Sequence, residues 1–395
     1  MVPMLYVGVD IAKREHVIGA VDERGRAVCK PMAFKNSGEG FERCVRWLEG
    51  LAAGPDDALV AMEATGHYWM ALFSHLVAAG WQACVINPVQ VKAVRKLKGM
   101  GRVKNDRVDS QLIAETLRIG QCEPSALADE SVQSLRVLTR YHQSIKGDMA
   151  ECKTQLICIL DAYFPEYEGL FADPMCAASL ALLGLAPLPA DLARRRESTV
   201  SRTLREASRG RLGDERAAEV VAAAKASVGY RVGTEAASLE ARSLVRTIEF
   251  LQKEADKVAA RVSALLREVE PLVLTIPGVG EVTGAQIVAE IGDISRFPNA
   301  KALVRYAGVD SSVSQSGEFD SGGGPISKGG DPYLRRAIWL AASRAWQYDP
   351  KLNEFYRKKR AENKPHRVAV TAVARKLCHI VFAVMRDQKE YDPNR

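Results

Sequence analysis

The chain has 395 residues, 47% apolar and 26% charged, a balance that excludes wholesale disorder and, at roughly 150 residues per domain, predicts two or three domains each burying a core. No uninterrupted apolar run reaches the roughly 20 residues of a membrane span, and Met1 to Tyr6 runs straight into a strand-like segment, so a cytoplasmic protein without a leader or membrane partner is expected. The net charge of +7 fits a polyanionic partner without demanding one.

Leu5 to Asp10 is an apolar run closed by an acid. His16 to Val21 and Ala27 to Phe34 follow after short polar turns, which predicts an antiparallel meander of three strands. Gly38 to Leu51 has helical periodicity, Ala58 to Met62 reads as a short buried strand, His67 to Ala79 as a helix and Ala83 to Ile86 as another buried strand. This order is that of an α/β RNase H-like sheet, whose later strands run parallel to the first. A basic helix from Pro88 to Lys98, a Gly/Lys/Arg loop and a helix from Asp106 to Ile119 complete the region.

Glu130 to Phe164 and Thr234 to Glu268 carry apolar residues at three- and four-residue spacing, the pattern of an antiparallel hairpin or a partner-binding coiled coil. Pro174 to Val228, rich in Ala and Leu, reads as a small helical insertion between them. Pro271 to Arg395 is mostly helical but interrupted by a Ser/Gly-rich loop, Asp310 to Gly330, too long and irregular for an ordinary connection. The expected organisation is an RNase H-like domain over 1–125, a helical, coiled-coil-like region over 126–269 with its insertion at 174–228, and a mainly α domain over 270–395.

Four carboxylates of the first region are candidates for chemistry. Asp10 closes the first strand and Glu63 the fourth, which are neighbours in an RNase H-like sheet, while Asp106 and Asp109 share one face of a helix start. Acids so gathered repel one another, and a pair of Mg²⁺ ions relieves the repulsion while activating an attacking oxygen and stabilising a leaving one. Singly, Asp106 and Asp109 are also ordinary first-turn acids. The eight cysteines form no C-x-x-C pair and the six histidines no H-x-x-x-H pair, so a metal here should be a hard ion on carboxylates.

Lys92, Arg95, Lys96, Lys98, Arg102 and Lys104 crowd this region with few interleaved acids, a density suited to a phosphate backbone or, more blandly, to a solvated helix face. Gly278 and Gly280, flanking Val279 between apolar helices, fit the tight turn of a helix-hairpin-helix that offers backbone N–H groups to DNA phosphates, or a plain turn. A serine of the long loop would be a nucleophile toward phosphate if a base or metal activates it, and composition does not choose among Ser311, Ser312, Ser314, Ser316, Ser321 and Ser327. Lys328, Arg335 and Arg336 follow, and the last helices are strongly basic. The aromatics among them, Tyr333, Trp339, Trp346, Tyr348, Phe355 and Tyr356, read as core packing before base stacking.

Taken together, Gly8-Val9-Asp10-Ile11-Ala12-Lys13, Glu63-Ala64-Thr65-Gly66-His67-Tyr68, Ile86-Asn87-Pro88, Lys104-Asn105-Asp106-Arg107-Val108-Asp109, Ile276-Pro277-Gly278-Val279-Gly280, Tyr306-Ala307-Gly308-Val309, Gln315-Ser316-Gly317, Ile326-Ser327-Lys328 and Leu334-Arg335-Arg336-Ala337 resemble the bridge-RNA-guided insertion-sequence transposases. The resemblance covers both ends of the chain in order. It implies a RuvC-like domain whose metal-binding tetrad is Asp10, Glu63, Asp106 and Asp109, and a C-terminal domain whose nucleophile is Ser316. It further implies a covalent serine–DNA intermediate assisted by Mg²⁺, donor and target DNA as substrates, a structured guide RNA, and a homo-oligomer, a dimer of dimers, in which tetrad and serine come from different subunits. Two departures limit the likeness. Glu318 to Gly324 is acidic and glycine-rich where the family is commonly basic, and the insertion resembles a variable part of the family. Two other readings remain open: a junction-resolving RNase H-like nuclease that uses water, which needs the acids but not the serine, and a non-catalytic nucleic-acid-binding protein, which needs neither.

Overall fold

The computed structural model describes residues 4–64, 66–99, 106–120, 129–310, 315–316, 319–320 and 326–393. The chain divides into two compact units, Met1–Ala128 and Asp129–Arg395.

The first unit is built on a five-stranded sheet. Strands β1 (Leu5–Asp10), β2 (Glu15–Val21) and β3 (Met32–Lys35) form the antiparallel meander, and β4 (Ala58–Glu63) and β5 (Gln82–Ile86) add parallel to β1, in the spatial order β3-β2-β1-β4-β5. That is the mixed RNase H-like topology expected. The third strand is shorter than its apolar pattern, because Ala27 makes only an isolated bridge to Val21 and Pro31, lacking an N–H, interrupts the ladder before Met32.

Alternation along the strands sorts side chains between two layers. Val7, Val9, Val60 and Met62 pack beneath α1 (Gly38–Glu49) and α2 (Trp69–Ala78) with Phe41, Leu48, Leu72 and Leu76. On the opposite face Ala61, Cys84 and Ile86 pack against α3 (Pro88–Leu97) and α4 (Asp106–Gly120) through Val91, Val94, Leu112, Ile113 and Leu117. Asn87 caps α3 by accepting from Val89 N–H at 2.9 Å, with Pro88 in the first turn, where a missing N–H costs nothing.

In the second unit α5 (Glu130–Tyr163) starts at Asp129, whose carboxylate accepts from Ser131 N–H at 2.9 Å. Four short helices follow, α6 (Ala177–Leu185), α7 (Pro189–Ala193), α8 (Glu197–Ala207) and α9 (Asp214–Ala226), then α10 (Thr234–Val269). The two long helices pair within the chain and antiparallel: Leu156 and Ile159 share a core with Ala241 and Val245, whereas Leu135 and Ile145 share one with Val258 and Val262. The short helices close the first of these cores through Leu182, Val200, Leu204 and Val220.

The remainder comprises α11 (Glu281–Ile291), α12 (Ala300–Ala307), the two-residue strands β6 (Gln315–Ser316) and β7 (Phe319–Asp320), α13 (Pro332–Tyr348), α14 (Pro350–Ala361) and α15 (His366–Asp387). Helix α15 is long and apolar enough to cross a membrane by length and composition, and half of that stretch is buried inside the unit. Its Val370, Val373, Ala374, Leu377 and Val381 meet Leu303, Ala307, Ile338 and Leu352 in one core.

Candidate active site

The sheet determines where the two strand-end acids lie. Val9 is the partner of Met62 in the parallel pair β1/β4, so Asp10 and Glu63, one residue further on each, end neighbouring strands, and Glu63 is in turn the partner of Ile86 on β5. Asp10 is two residues from Gly8 and Glu63 two from Ala61, which places both acids on the face covered by α3 and α4. Glycine at position 8 is what lets α4 lie on β1. A Cβ there would sit 2.1 Å from the Ser110 carbonyl oxygen and 2.3 Å from Ala114 N. Asp109, the residue before Ser110, is buried, and Asp106 is exposed in the first turn of α4. Two strand ends and one helix start thus bring Asp10, Glu63 and Asp109 to the same end of one face.

Their donor set is all carboxylate oxygen, which suits a hard cation such as Mg²⁺ in kind. Among the described residues, however, no three acids, imidazoles or thiols gather closely enough to form a metal-holding group. Asp109 is instead engaged by Arg95 of α3, whose Nη2 donates at 2.5 Å.

A second clamp lies further along the same helices. Glu115 of α4, buried, receives Lys98 at 2.9 Å and Arg118 at 2.7 Å. The Arg118 hydrogen bond, aided by Lys98, holds its carboxyl down at about 2 against the opposition of burial. Of the basic candidates, Arg95 and Lys98 therefore face acids of α4, Lys92 and Lys96 are exposed, and Arg102 and Lys104 lie outside the described residues. Neither engagement is visible in the sequence, since Arg95 and Asp109 are 14 positions apart and meet only across a helix pair.

In the second unit Ser316 occupies β6, its backbone paired with Phe319 of β7. Ser311, Ser312, Ser314 and Ser321 lie outside the described residues. The base of this loop is tied: Ser327 Oγ donates to the Asp310 carboxylate, Ser327 N–H to Asp310 O at 2.9 Å, and Asp331 N–H to Tyr306 O at 2.7 Å. The approach is close enough to require glycine, because a Cβ on Gly330 would lie 1.8 Å from Tyr306 O. Lys328 adopts a left-handed conformation (φ 52°) in this base, exposed, and Arg336 is exposed on the first turns of α13. Arg335 Nη1 is buried, without a hydrogen-bond partner among the described residues, and would lie 2.9 Å from a Cβ on Gly308.

Gly278 has φ 84°, and a Cβ on it would come within 2.6 Å of the Ala345 backbone of α13, so this glycine is required for packing. Gly280 is the N-cap residue of α11, and the segment before the turn is a 3-10 stretch, Leu272–Thr275, where the sequence pattern predicts a helix. The α11 helix also carries a charge that its sequence hides among apolar neighbours. Glu290, 1% exposed, accepts from Arg140 of α5 at two oxygens, both at 2.7 Å, and Arg140 lies 4.3 Å above the Tyr333 ring and 3.7 Å from Asp331. Arg136 adds two bonds to Ala289 O at 2.9 and 2.6 Å.

Residues 7–165 match a family described as Transposase, the IS110-type DEDD group, and residues 270–357 match one described as Transposase IS116/IS110/IS902 family. The first interval contains Asp10, Glu63, Asp106 and Asp109, and the second contains Ser316, Lys328, Arg335 and Arg336. Among similar proteins, the mini-circle putative transposase for IS117 of Streptomyces coelicolor is 27% identical over 99% of this chain and 96% of its own. The insertion element IS900 uncharacterized 42 kDa protein of Mycobacterium paratuberculosis is 26% identical over 100% and 98%. The pilin gene-inverting protein of Moraxella lacunata is 22% identical over 98% and 97%. A structure of T. thermophilus RuvC in complex with a Holliday junction substrate overlaps 31% of this chain and 99% of its own, at 19% identity and a TM-score of 0.24.

Proposed function

Because this chain belongs to the IS110/IS116/IS902 family of transposases, enzymes of DNA strand transfer, we propose that it cuts and rejoins DNA through Ser316, with Asp10, Glu63, Asp106 and Asp109 as a metal-binding tetrad and a structured RNA as guide. The observation that carries this reading is the pairing of Asp10 and Glu63 at the ends of adjacent parallel strands, beneath the helix that bears Asp106 and Asp109. Carboxylates at such strand ends face the crevice where open α/β sheets bind ligands.

The Ser316 oxygen bonds to phosphorus as the phosphorus–deoxyribose oxygen bond breaks, the serine proton passes to a base and from it to the displaced oxygen, and the resulting hydroxyl later reverses the step on the exchanged strand. Mg²⁺, two ions in the expected site, supplies Lewis acidity to the phosphoryl oxygens when bound. Asp10, Glu63, Asp106 and Asp109 would hold it, Asp109 by exchanging its bond from Arg95. Lys92, Lys96, Lys328, Arg335, Arg336 and the N–H groups of Gly278 and Gly280 contact DNA phosphates, the Val279 N–H between them being donated to Ile276 O. The similarity to a pilin gene-inverting protein supports conservative cutting and rejoining. The guide RNA and the oligomer, a dimer of dimers, rest on the sequence resemblance, as does the cytoplasmic location, which the free thiols of the described cysteines suit.

The test is recombination of a plasmid carrying the element's ends. Asp10→Asn and Ser316→Ala should each abolish it while leaving the fold intact, and sequencing of co-purified RNA should return one discrete structured species. Full recombination by Asp10→Asn would remove the tetrad from the mechanism.

A further inference from the structure

Four aromatics of the last helices pack against the core as their pattern predicts, Tyr333 lies under Arg140, and Tyr348 does neither. Trp346 and Tyr356 stack with ring centroids 4.0 Å apart, and Trp339 and Phe355 lie half-buried against the core. Tyr348, at the end of α13, is 64% exposed. It lines an open cleft of about 680 Å³ between the end of α13 and one face of α14, together with Gln347, Asn353, Glu354, Arg357 and Lys358. The kink that opens this cleft is fixed from below: buried Asp349 caps α14 by accepting from Leu352 N–H at 2.7 Å and also receives the Tyr391 hydroxyl at 2.5 Å.

The cleft's charge is positive. Arg357 and Lys358 are exposed and make no ion pair among the described residues, whereas nearby Lys359 is paired with Glu362 at 2.8 Å. Lys351 on α14, Lys364 in the turn after it and Arg367 in the first turn of α15 extend the exposed cations. Glu354 is the one acid of the lining apart from buried Asp349. An exposed ring beside unpaired cations is the arrangement that holds an unpaired nucleotide, the ring stacking on the base and the cations following the phosphates. A paired duplex offers no free base face to such a ring.

We infer that the α13–α14 cleft binds a single DNA strand, with Tyr348 stacking on a base and Arg357 and Lys358 contacting its phosphates. The cleft shares no residue with the proposed tetrad or serine, and suits a strand unpaired during exchange. Glu354 offers a carboxylate to the base edge, while the Asn353 and Gln347 amides donate to Trp346 O at 2.9 Å and Ser343 O at 3.0 Å and so brace the cleft wall.

The test is photocrosslinking of the full chain to a short oligothymidylate carrying 5-iodouracil, with the adduct located by mass spectrometry. Label on Tyr348 is the expected result. Tyr348→Ala should weaken binding of the oligonucleotide about tenfold and Tyr348→Phe should retain it. Arg357→Ala with Lys358→Ala should lower the salt dependence of log K by about 1.4, roughly 0.7 per lost phosphate contact. Because Tyr348 is exposed, unchanged thermal melting should accompany each variant. Label confined to other residues, stronger competition by duplex DNA or by the matching RNA than by the DNA strand, or equal binding by Tyr348→Ala would overturn the inference while leaving the tetrad and serine untouched. Absence of any DNA binding would overturn both.

Discussion

Arg95 of α3 and Asp109 of α4 meet at 2.5 Å, with only 20% and 11% of their side chains exposed. The contact fastens a basic helix to the helix that carries two of the four candidate carboxylates. Replacing Arg95 with Met leaves the Asp109 carboxylate partly desolvated and without this donor, and we expect a loss of about 1–3 kcal/mol. Urea unfolding of Arg95→Met, with Arg95→Lys intermediate, checks this. An unchanged midpoint would mean that the pair contributes nothing to holding α3 on α4.

Gly8 sets the seat of α4. Since a Cβ would lie 2.1 Å from Ser110 O and 2.3 Å from Ala114 N, both backbone atoms, the helix must move to accommodate even alanine. Gly8→Ala should cost about 1–3 kcal/mol through overpacking, whereas Gly38→Ala, with nothing within 4 Å, should be near neutral or mildly stabilising. Equal stability of the two variants in parallel denaturation curves would contradict this account of the α4 seat.

Glu115 gives a pH signature. Its folded carboxyl is held at about 2, below the usual 4.5 of a glutamate, chiefly by the Arg118 hydrogen bond. A depressed acid contributes stability that is present above pH 4.5 and lost as pH falls through about 2. Glu115→Gln should therefore lower stability near neutrality by about 2 kcal/mol and flatten the acid limb between those values. Stability profiles of both proteins against pH read this directly, and parallel acid limbs would exclude Glu115 as their source.

Arg140→Met removes both close donors from Glu290, a carboxylate 1% exposed, leaving it the longer contact to Arg136 at 3.7 Å, and should cost about 3 kcal/mol. Adding Glu290→Leu removes the stranded charge and should restore much of the loss. Additive losses in the double-mutant cycle would show the two side chains to be energetically independent.

The sheet was legible because its strands are short apolar runs between turns, and Asp10 and Glu63 could be paired from strand order alone. The ends of elements were less so. Pro31 shortened the third strand against an apolar pattern that continued through it. What the sequence concealed is mostly long-range charge pairing. Arg95 and Lys98 read as cations for phosphate, yet each meets an acid on the next helix, and nothing local to Glu290 points to Arg140, which α5 delivers to it. Gly278 fitted a phosphate-binding turn by pattern, and its close approach to Ala345 supplies a packing reason for the same residue. Local periodicity carries the fold, while such contacts depend on which helices become neighbours.

Ser316 is the proposed nucleophile toward DNA. Wild-type protein incubated with Mg²⁺, its co-purified RNA and a nicked suicide DNA should accumulate a covalent protein–DNA adduct, located at Ser316 by mass spectrometry of the digested complex. Ser316→Ala should form none while still binding the DNA. An adduct that persists in Ser316→Ala, or cleaved DNA that carries no protein in the wild type, would contradict that role.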